Sequence, residues 1–284
     1  VRTAWRLLAG VLALLPGARA GAAEPPRRVA SLNLAADEIL VDILPRGRLV
    51  AVTRFADEPG SSNVVGRVPP EVFRFPKADL ERLVALAPDL VVLSEYTDAD
   101  VARQIERSGL RFHRMRGASS VAGVREAILD LAARVGEEAA GRRLVARYDA
   151  RLAELARRME GVTRPRVLYW SNGMTAGADT AIGSLVETAG GTNVGRELGV
   201  HGIAPPGAER AFLADPDVIL VGTWPGAVEA VRGHPLLGRA RAAREGRVLV
   251  MPTELLVALS QYTADACWRL AALLHPDRVR PDGP

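Results

Sequence analysis

Cysteine is almost absent from this chain. Cys267 is the only one among 284 residues, so no disulfide can form within the chain and no cysteine follows the N-terminal segment to carry a lipid. Lysine is as scarce, with Lys77 alone, and every other cationic side chain is an arginine. The four histidines, His113, His201, His234 and His275, are scattered. A site for bare zinc or manganese, which needs several His and carboxylate ligands together, is therefore not expected. No Gly-x-Ser-x-Gly elbow occurs. The segment Gly190 to Gly195 lacks the Lys-Ser/Thr of a phosphate loop and reads as a helix stop and turn.

Charge of either sign is also modest. The formal net charge of +4 falls to about +1 once Arg2, Arg6 and Arg19 are discounted, which argues against a nucleic-acid partner. Those three arginines belong to a segment with its own logic. A basic start is followed by the apolar run Leu7 to Leu15, too short to span a bilayer, and then by Ala18-Arg19-Ala20. That order is the pattern of a secretory signal peptide. The expectation is a signal over 1–22, a mature chain beginning between Gly21 and Glu24, and a soluble monomer in the periplasm.

What the chain does contain is a repeated sentence. Leu80 to Tyr96 reads as a short helix, a Pro-Asp turn, a buried strand over Leu90 to Leu93 and a polar-aromatic loop. Ala208 to Trp224 repeats it: Glu81 and Glu209, Pro88 and Pro216, Asp89 and Asp217, Tyr96 and Trp224 are each 128 residues apart. Two copies of one unit imply two similar lobes.

The surroundings agree. Arg27 to Leu32 reads as a strand, with Asn33 capping a helix over Ala35 to Leu44, and a second strand spans Leu49 to Thr53. Helices over about Asp98 to Ser108 and Val121 to Val135 flank a strand in Leu110 to Met115. Arg166 to Trp170, a helix over Ala181 to Ala189, a strand in Gly246 to Met251 and a last helix over Tyr262 to Leu274 restate the pattern. Strands alternating with helices at this spacing predict mostly parallel sheets. Between the halves, Leu144, Tyr148, Leu152, Leu155 and Met159 form one helical stripe. The fold class expected is α/β: two Rossmann-like lobes, 23–136 and 161–284, bridged by one long helix over 137–160.

With those pieces in order, the chain resembles the periplasmic binding proteins that serve ABC importers of cobalamin, ferric siderophores and haem. The resemblance rests on Arg28 to Leu32 followed by a helix with Glu38, on Leu83 to Val91, on Ala189 to Val194 and on the inter-lobe helix. Asp37 departs from it, standing where Thr or Ser is more usual. The resemblance implies a shallow cleft, little hinge closure and no resident cofactor, the bound ligand being a metal chelate. Cobalamin or a ferric siderophore comes first, with haem as the alternative. It also implies that Glu81 and Glu209 dock onto the permease dimer, one lobe per subunit.

In open α/β sheets ligands sit beyond the carboxyl ends of strands. The candidates there are Arg54, Phe55, Glu95, Tyr96, Trp170, Asn172, Trp224, Glu254 and Leu255, with Arg67 on the loop after the second strand. Aromatics offer flat apolar area to a large chelate, and arginines meet its anionic groups. Tyr96 is expected to stack, with phenolate ligation of haem iron as a narrower alternative. His201 reads as a surface histidine, and axial ligation is its alternative. No catalytic residue is expected, although Glu95 and Glu254 facing one another would suit a secreted α/β enzyme. A scavenger unconnected to a transporter is a third reading.

Overall fold

A computed structural model describes residues 24–280; the signal expected over 1–22 lies outside them. The N-terminal lobe runs β1 (Val29–Ser31), α1 (Leu34–Ile43), β2 (Leu49–Thr53), β3 (Phe73–Phe75), α2 (Leu80–Ala85), β4 (Leu90–Ser94), α3 (Ala99–Arg107), β5 (Phe112–Met115) and α4 (Val121–Arg134). Next comes α5 (Glu138–Arg158), the connecting helix. The C-terminal lobe holds β6 (Arg166–Tyr169), β7 (Thr175–Ala176), α6 (Ala181–Thr188), β8 (Thr192–Asn193), α7 (Val194–Glu197), β9 (Ile203–Ala204), α8 (Ala208–Leu213), β10 (Val218–Gly222), α9 (Ala227–Arg232), α10 (Arg241–Arg244), β11 (Val248–Met251), α11 (Thr253–Leu256) and α12 (Thr263–Leu274).

Both main sheets are parallel. The first has the order β3-β2-β1-β4-β5 and the second β11-β10-β6-β8, with β7 and β9 forming a small antiparallel pair. In each, the first strand of the lobe neighbours the strand of the repeated unit, β1 beside β4 and β6 beside β10. That neighbouring is the topological switch point, where strand exits diverge and leave a crevice.

Side chains alternate along each strand, so each sheet buries both faces. Val29, Val92, Val167, Tyr169, Val218 and Leu220 share one large core. Ala30, Val91 and Leu93 turn to a core private to the N-terminal lobe, and Leu168, Ile219 and Val221 to one private to the C-terminal lobe. The shared core also takes α1, α4, α6 and α12, and the α5 stripe of Leu144, Tyr148 and Leu155. Tyr148 donates to Val121 O at 2.6 Å and the Trp268 indole to Arg151 O at 3.0 Å, pinning α5 to both lobes. A continuous apolar core between the lobes opposes hinge opening, since opening would expose it to water.

The repeat is a folding device. Asp89 and Asp217 each accept backbone N–H bonds from the start of the neighbouring strand: Arg27 and Arg28 at 2.7 and 2.8 Å, and Arg166 at 2.8 Å. Arg28 and Arg166 reach back to the helix-end carbonyls, Leu86 at 2.7 Å in one copy and Ala214 at 2.5 Å in the other. Ala87 and Asp215, just before the prolines, both stand at φ 44°. A left-handed non-glycine residue is strained, so the matched guanidinium bonds explain how both copies keep it.

Strand β3 is the short alternating triplet Phe73-Arg74-Phe75, paired in parallel with β2. Its Arg74 folds over the preceding loop and donates to Val68 O, Pro69 O and Asp57.

Candidate functional site

The carboxyl ends of both sheets meet. Asn63, on the loop after β2, donates its side-chain amide to the backbone oxygen of Glu254, just past β11, at 3.0 Å. Below this bridge lies a recess of about 120 Å³ lined by Asn33, Leu34 and Ser61 from one lobe and Glu254, Val257 and Leu259 from the other. The loop after β2 and the segment after β11 therefore meet at one recess between the lobes.

In the N-terminal lobe β2 runs into a single 3-10 turn, Arg54–Asp57. Arg54 pairs with Glu58 at 2.7 Å and lays its guanidinium over the ring of Phe55, 4.6 Å from the centroid. Phe55 is 40% exposed. Beyond β4, Tyr96 is 78% exposed, with Glu95 half-buried beside it. Several bonds hold this loop, among them Tyr96 N to Ser94 Oγ at 3.2 Å, Thr97 N to Ser94 O at 3.1 Å and the Arg114 guanidinium to Thr97 O at 2.7 Å.

In the C-terminal lobe the exits of β10 and β11 are clasped by reciprocal bonds between Thr223 and Thr253, each hydroxyl accepting from the other residue's N–H at 3.0 and 3.1 Å. Trp224 is half-buried and packs against the shared core and the lobe's own core. Its ring lies across Gly222: a Cβ there would sit 2.1 Å from Cζ3. Leu255 is half-buried against the shared core. Glu254 has one carboxylate oxygen, Oε2, buried without a hydrogen-bond partner.

One expectation needs correction, and two further candidates have structural bonds or turns of their own. Trp170 is only 6% exposed and sits in the C-terminal core, edge-on to His234 at 6.1 Å, so it offers no face to a ligand. Arg67 is taken up by Asp42 and the Tyr262 hydroxyl, which makes it a tie between lobes. Asn172 and Gly173 stand at φ 49° and 81° in a tight turn, so the asparagine is accounted for by the left-handed backbone it adopts.

The histidines stay apart. His113 meets Asp130 at 2.9 Å and is pushed below its usual pKa chiefly by burial, which outweighs that carboxylate. His201 faces Asp179 at 3.4 Å on the surface, and His275 contacts Gly190 O at 3.1 Å. Among the described residues no group of three or more His, Cys, Asp or Glu is arranged to hold a metal ion. No helix among the described residues is long and apolar enough to cross a membrane.

Several residues that line the recess or hold the strand-exit loops carry no sequence motif: Ser61 and the 46%-exposed Val257 at the recess, and Asn63, Arg114, Thr223 and Thr253 in the loops. Arg114 had one visible signal, a cation inside the strand pattern of Leu110 to Met115. Glu81 and Glu209 are exposed at the second position of α2 and α8, and neither carboxylate forms an ion pair among the described residues.

The model of the family described as "Periplasmic binding protein" matches residues 29–255. A cobalamin-binding protein of Halobacterium salinarum is 29% identical over 205 residues, covering 69% of this chain and 54% of the relative. The chain thus spans about half the length of the curated relatives it matches. Among solved structures, a periplasmic heme-binding protein from Roseiflexus sp. RS-1 in apo form superposes with a TM-score of 0.75 at 23% identity, over 88% of this chain and 98% of that one. A periplasmic heme-binding protein from Pseudomonas aeruginosa gives 0.74 at 24% identity, over 89% and 94%.

Proposed function

We propose that this chain, which belongs to the periplasmic binding protein family, captures a large metal chelate in the inter-lobe cleft and delivers it to the permease dimer of an ABC importer. Cobalamin is the first choice, a ferric siderophore the second and haem the alternative. The observation that supports the reading is a pair of exposed aromatics, Phe55 and Tyr96, just past the carboxyl ends of β2 and β4. Such a surface suits a ligand that brings its own chelating atoms and a broad apolar face. The cobalamin-binding relative favours a corrinoid.

The ligand surface is proposed as Arg54, Phe55, Glu95, Tyr96, Trp224, Glu254 and Leu255. Glu81 and Glu209, on equivalent helices and without an ion-pair partner among the described residues, are proposed to meet one permease subunit each. The chain works from the periplasm as a monomer and carries out no reaction on its cargo. Titration of the purified protein with cyanocobalamin, haemin and ferrichrome, followed by absorption and tryptophan quenching, tests this. Saturable 1:1 binding of one of them is expected. Binding of none, or equal weak binding of all three, overturns the reading.

A further inference from the structure

Asp37 and Glu38 are neighbours on α1, and both are buried, at 0% and 2% exposure. Successive residues of a helix point about 100° apart, so the two carboxylates reach different targets. Asp37 Oδ2 accepts from Thr53 N at 3.0 Å and from Thr53 Oγ1 at 2.6 Å. Glu38 Oε1 accepts from Asn63 N at 2.8 Å and Asn63 Nδ2 at 2.9 Å. Thr53 and Asn63 are the two ends of one loop, the loop that carries Arg54 and Phe55 to the cleft.

Glu38 also faces the other lobe. Its Oε2 accepts from Ser260 Oγ, and its backbone oxygen from Gln261 Nε2 at 2.9 Å. Asn63 passes the connection on, since the amide that meets Glu38 also meets Glu254 O. Around this network stand Asp42, which accepts from Gln261 and Arg67, then Tyr262, and the Glu254 carboxylate across the recess. Burying two carboxylates side by side is costly unless their bonds secure something.

We propose that Asp37 and Glu38 are positioning residues of the cleft: they grip both ends of the 54–62 loop, set where Arg54 and Phe55 stand, and through Asn63 and Ser260 couple that setting to the opposite lobe. Burial raises the pKa of both groups, Asp37 to about 7, which fits carboxylates retained for their bonds despite the desolvation. The consequence for ligand binding rests on the chelate reading above; the mechanical part does not.

The test is hydrogen–deuterium exchange on the full chain without ligand. Asn63→Ala and Thr53→Val leave both carboxylates in place and each remove side-chain donors, whereas Thr53→Ser keeps the hydroxyl. Exchange in Thr53→Val should rise roughly 10- to 100-fold over 54–62, the scale expected for losing a hydrogen bond to a charged group. Asn63→Ala should do the same and extend the rise to 255–261 in the other lobe. Thr53→Ser should restore the wild-type rate, and β4 and β10 should not change. Unchanged loop exchange, or a uniform rise across both lobes, overturns the clasp. Cyanocobalamin titration of the same variants reads the consequence, with about tenfold weaker binding expected. Exchange as expected with no cyanocobalamin affinity in wild type would leave the clasp standing and remove cobalamin as the ligand.

Discussion

In the N-terminal lobe Tyr96 stands clear of β4, while 128 residues later Trp224 lies back across the end of β10. The cause is two residues upstream in each copy. Ser94 has a Cβ, and its hydroxyl accepts from Tyr96 N. Gly222 has none, and the Trp224 ring fills the space that a Cβ would need. The lobes differ inside as well. The buried charged side chains among the described residues, Asp37 and Glu38, belong to the N-terminal lobe, and the buried polar groups of the C-terminal lobe, such as Thr175, Thr180 and Asn193, are neutral. Where the copies agree, at Arg28 with Asp89 and Arg166 with Asp217, folding explains the match. The divergence between Tyr96 and Trp224 falls at matched strand exits.

The largest expected effect tests the asymmetry of buried charge. Asp37 is desolvated by burial, only partly offset by its bonds with Thr53, and its pKa rises to about 7. Ser31 lies near, but its hydroxyl donates to Asn33 O at 3.0 Å, and Asp37 Oδ1 has no partner. A carboxyl whose folded pKa lies above its unfolded value favours the folded state at low pH. That contribution fades as pH rises from about 4 to about 7, at up to about 1.4 kcal/mol per unit. Asp37→Asn removes the titration. It should match wild type near pH 4 and exceed it in stability by an amount that grows to about pH 7 and then levels, measured by urea unfolding. A pH-independent difference would break the assignment.

Gly222→Ser tests the strand-exit contrast directly. Forcing a side chain into the space under the indole should cost about 1–3 kcal/mol and swing Trp224 outward, toward the posture of Tyr96. Acrylamide should then quench one more tryptophan than in wild type. The reverse change, Ser94→Gly, should cost about 0.5–1 kcal/mol and leave Tyr96 exposed, because no core lies ready to receive it.

Replacement by Ala separates the two aromatics. Covering one aromatic face is worth ~1.5–3 kcal/mol, so either Tyr96→Ala or Trp224→Ala should weaken chelate binding roughly ten- to a hundredfold. Only Trp224→Ala should also lower the melting temperature, since Tyr96 makes little contact in the free protein. Equal affinity to wild type in both variants would place the ligand elsewhere.

How much of this was readable beforehand follows from where the information lies. Periodicity and the spaced Pro-Asp turns sufficed for the two lobes, the parallel sheets and the α5 stripe, because those depend on local pattern. Tyr96 and Phe55 were legible as strand-exit aromatics. Trp170 was not separable from them by sequence, since its burial is decided by Ile219, Val221 and the segment around His234, residues far along the chain. The bonds of Arg67 were hidden for the same reason: its partners Asp42 and Tyr262 lie 25 and 195 residues away. The grip of Glu38 on Ser260 spans 222 residues. Contacts between lobes leave no mark in a local window.

The smallest expected effect on the protein itself comes from Glu81 and Glu209, where the lobes agree. Both are exposed early in short helices, where a carboxylate favours the positive helix end by a few tenths of a kcal/mol, and neither is paired among the described residues. Replacing both by Ala should therefore change stability by about 0.5 kcal/mol or less and leave the affinity for a chelate intact. If the folding requirement were their only role, nothing further would change. If each meets a cation on one permease subunit, the double variant should lose transport in reconstituted vesicles. The single variants should fall between, because a two-lobed protein on a dimeric permease loses half its charge contacts with each. Charge pairs of this kind are worth ~2–5 kcal/mol when desolvated and less at a rim, and association should weaken with added salt in either case. Unchanged uptake by the double variant, with the importer and chelate that wild type serves, would leave Glu81 and Glu209 as helix-end residues and no more.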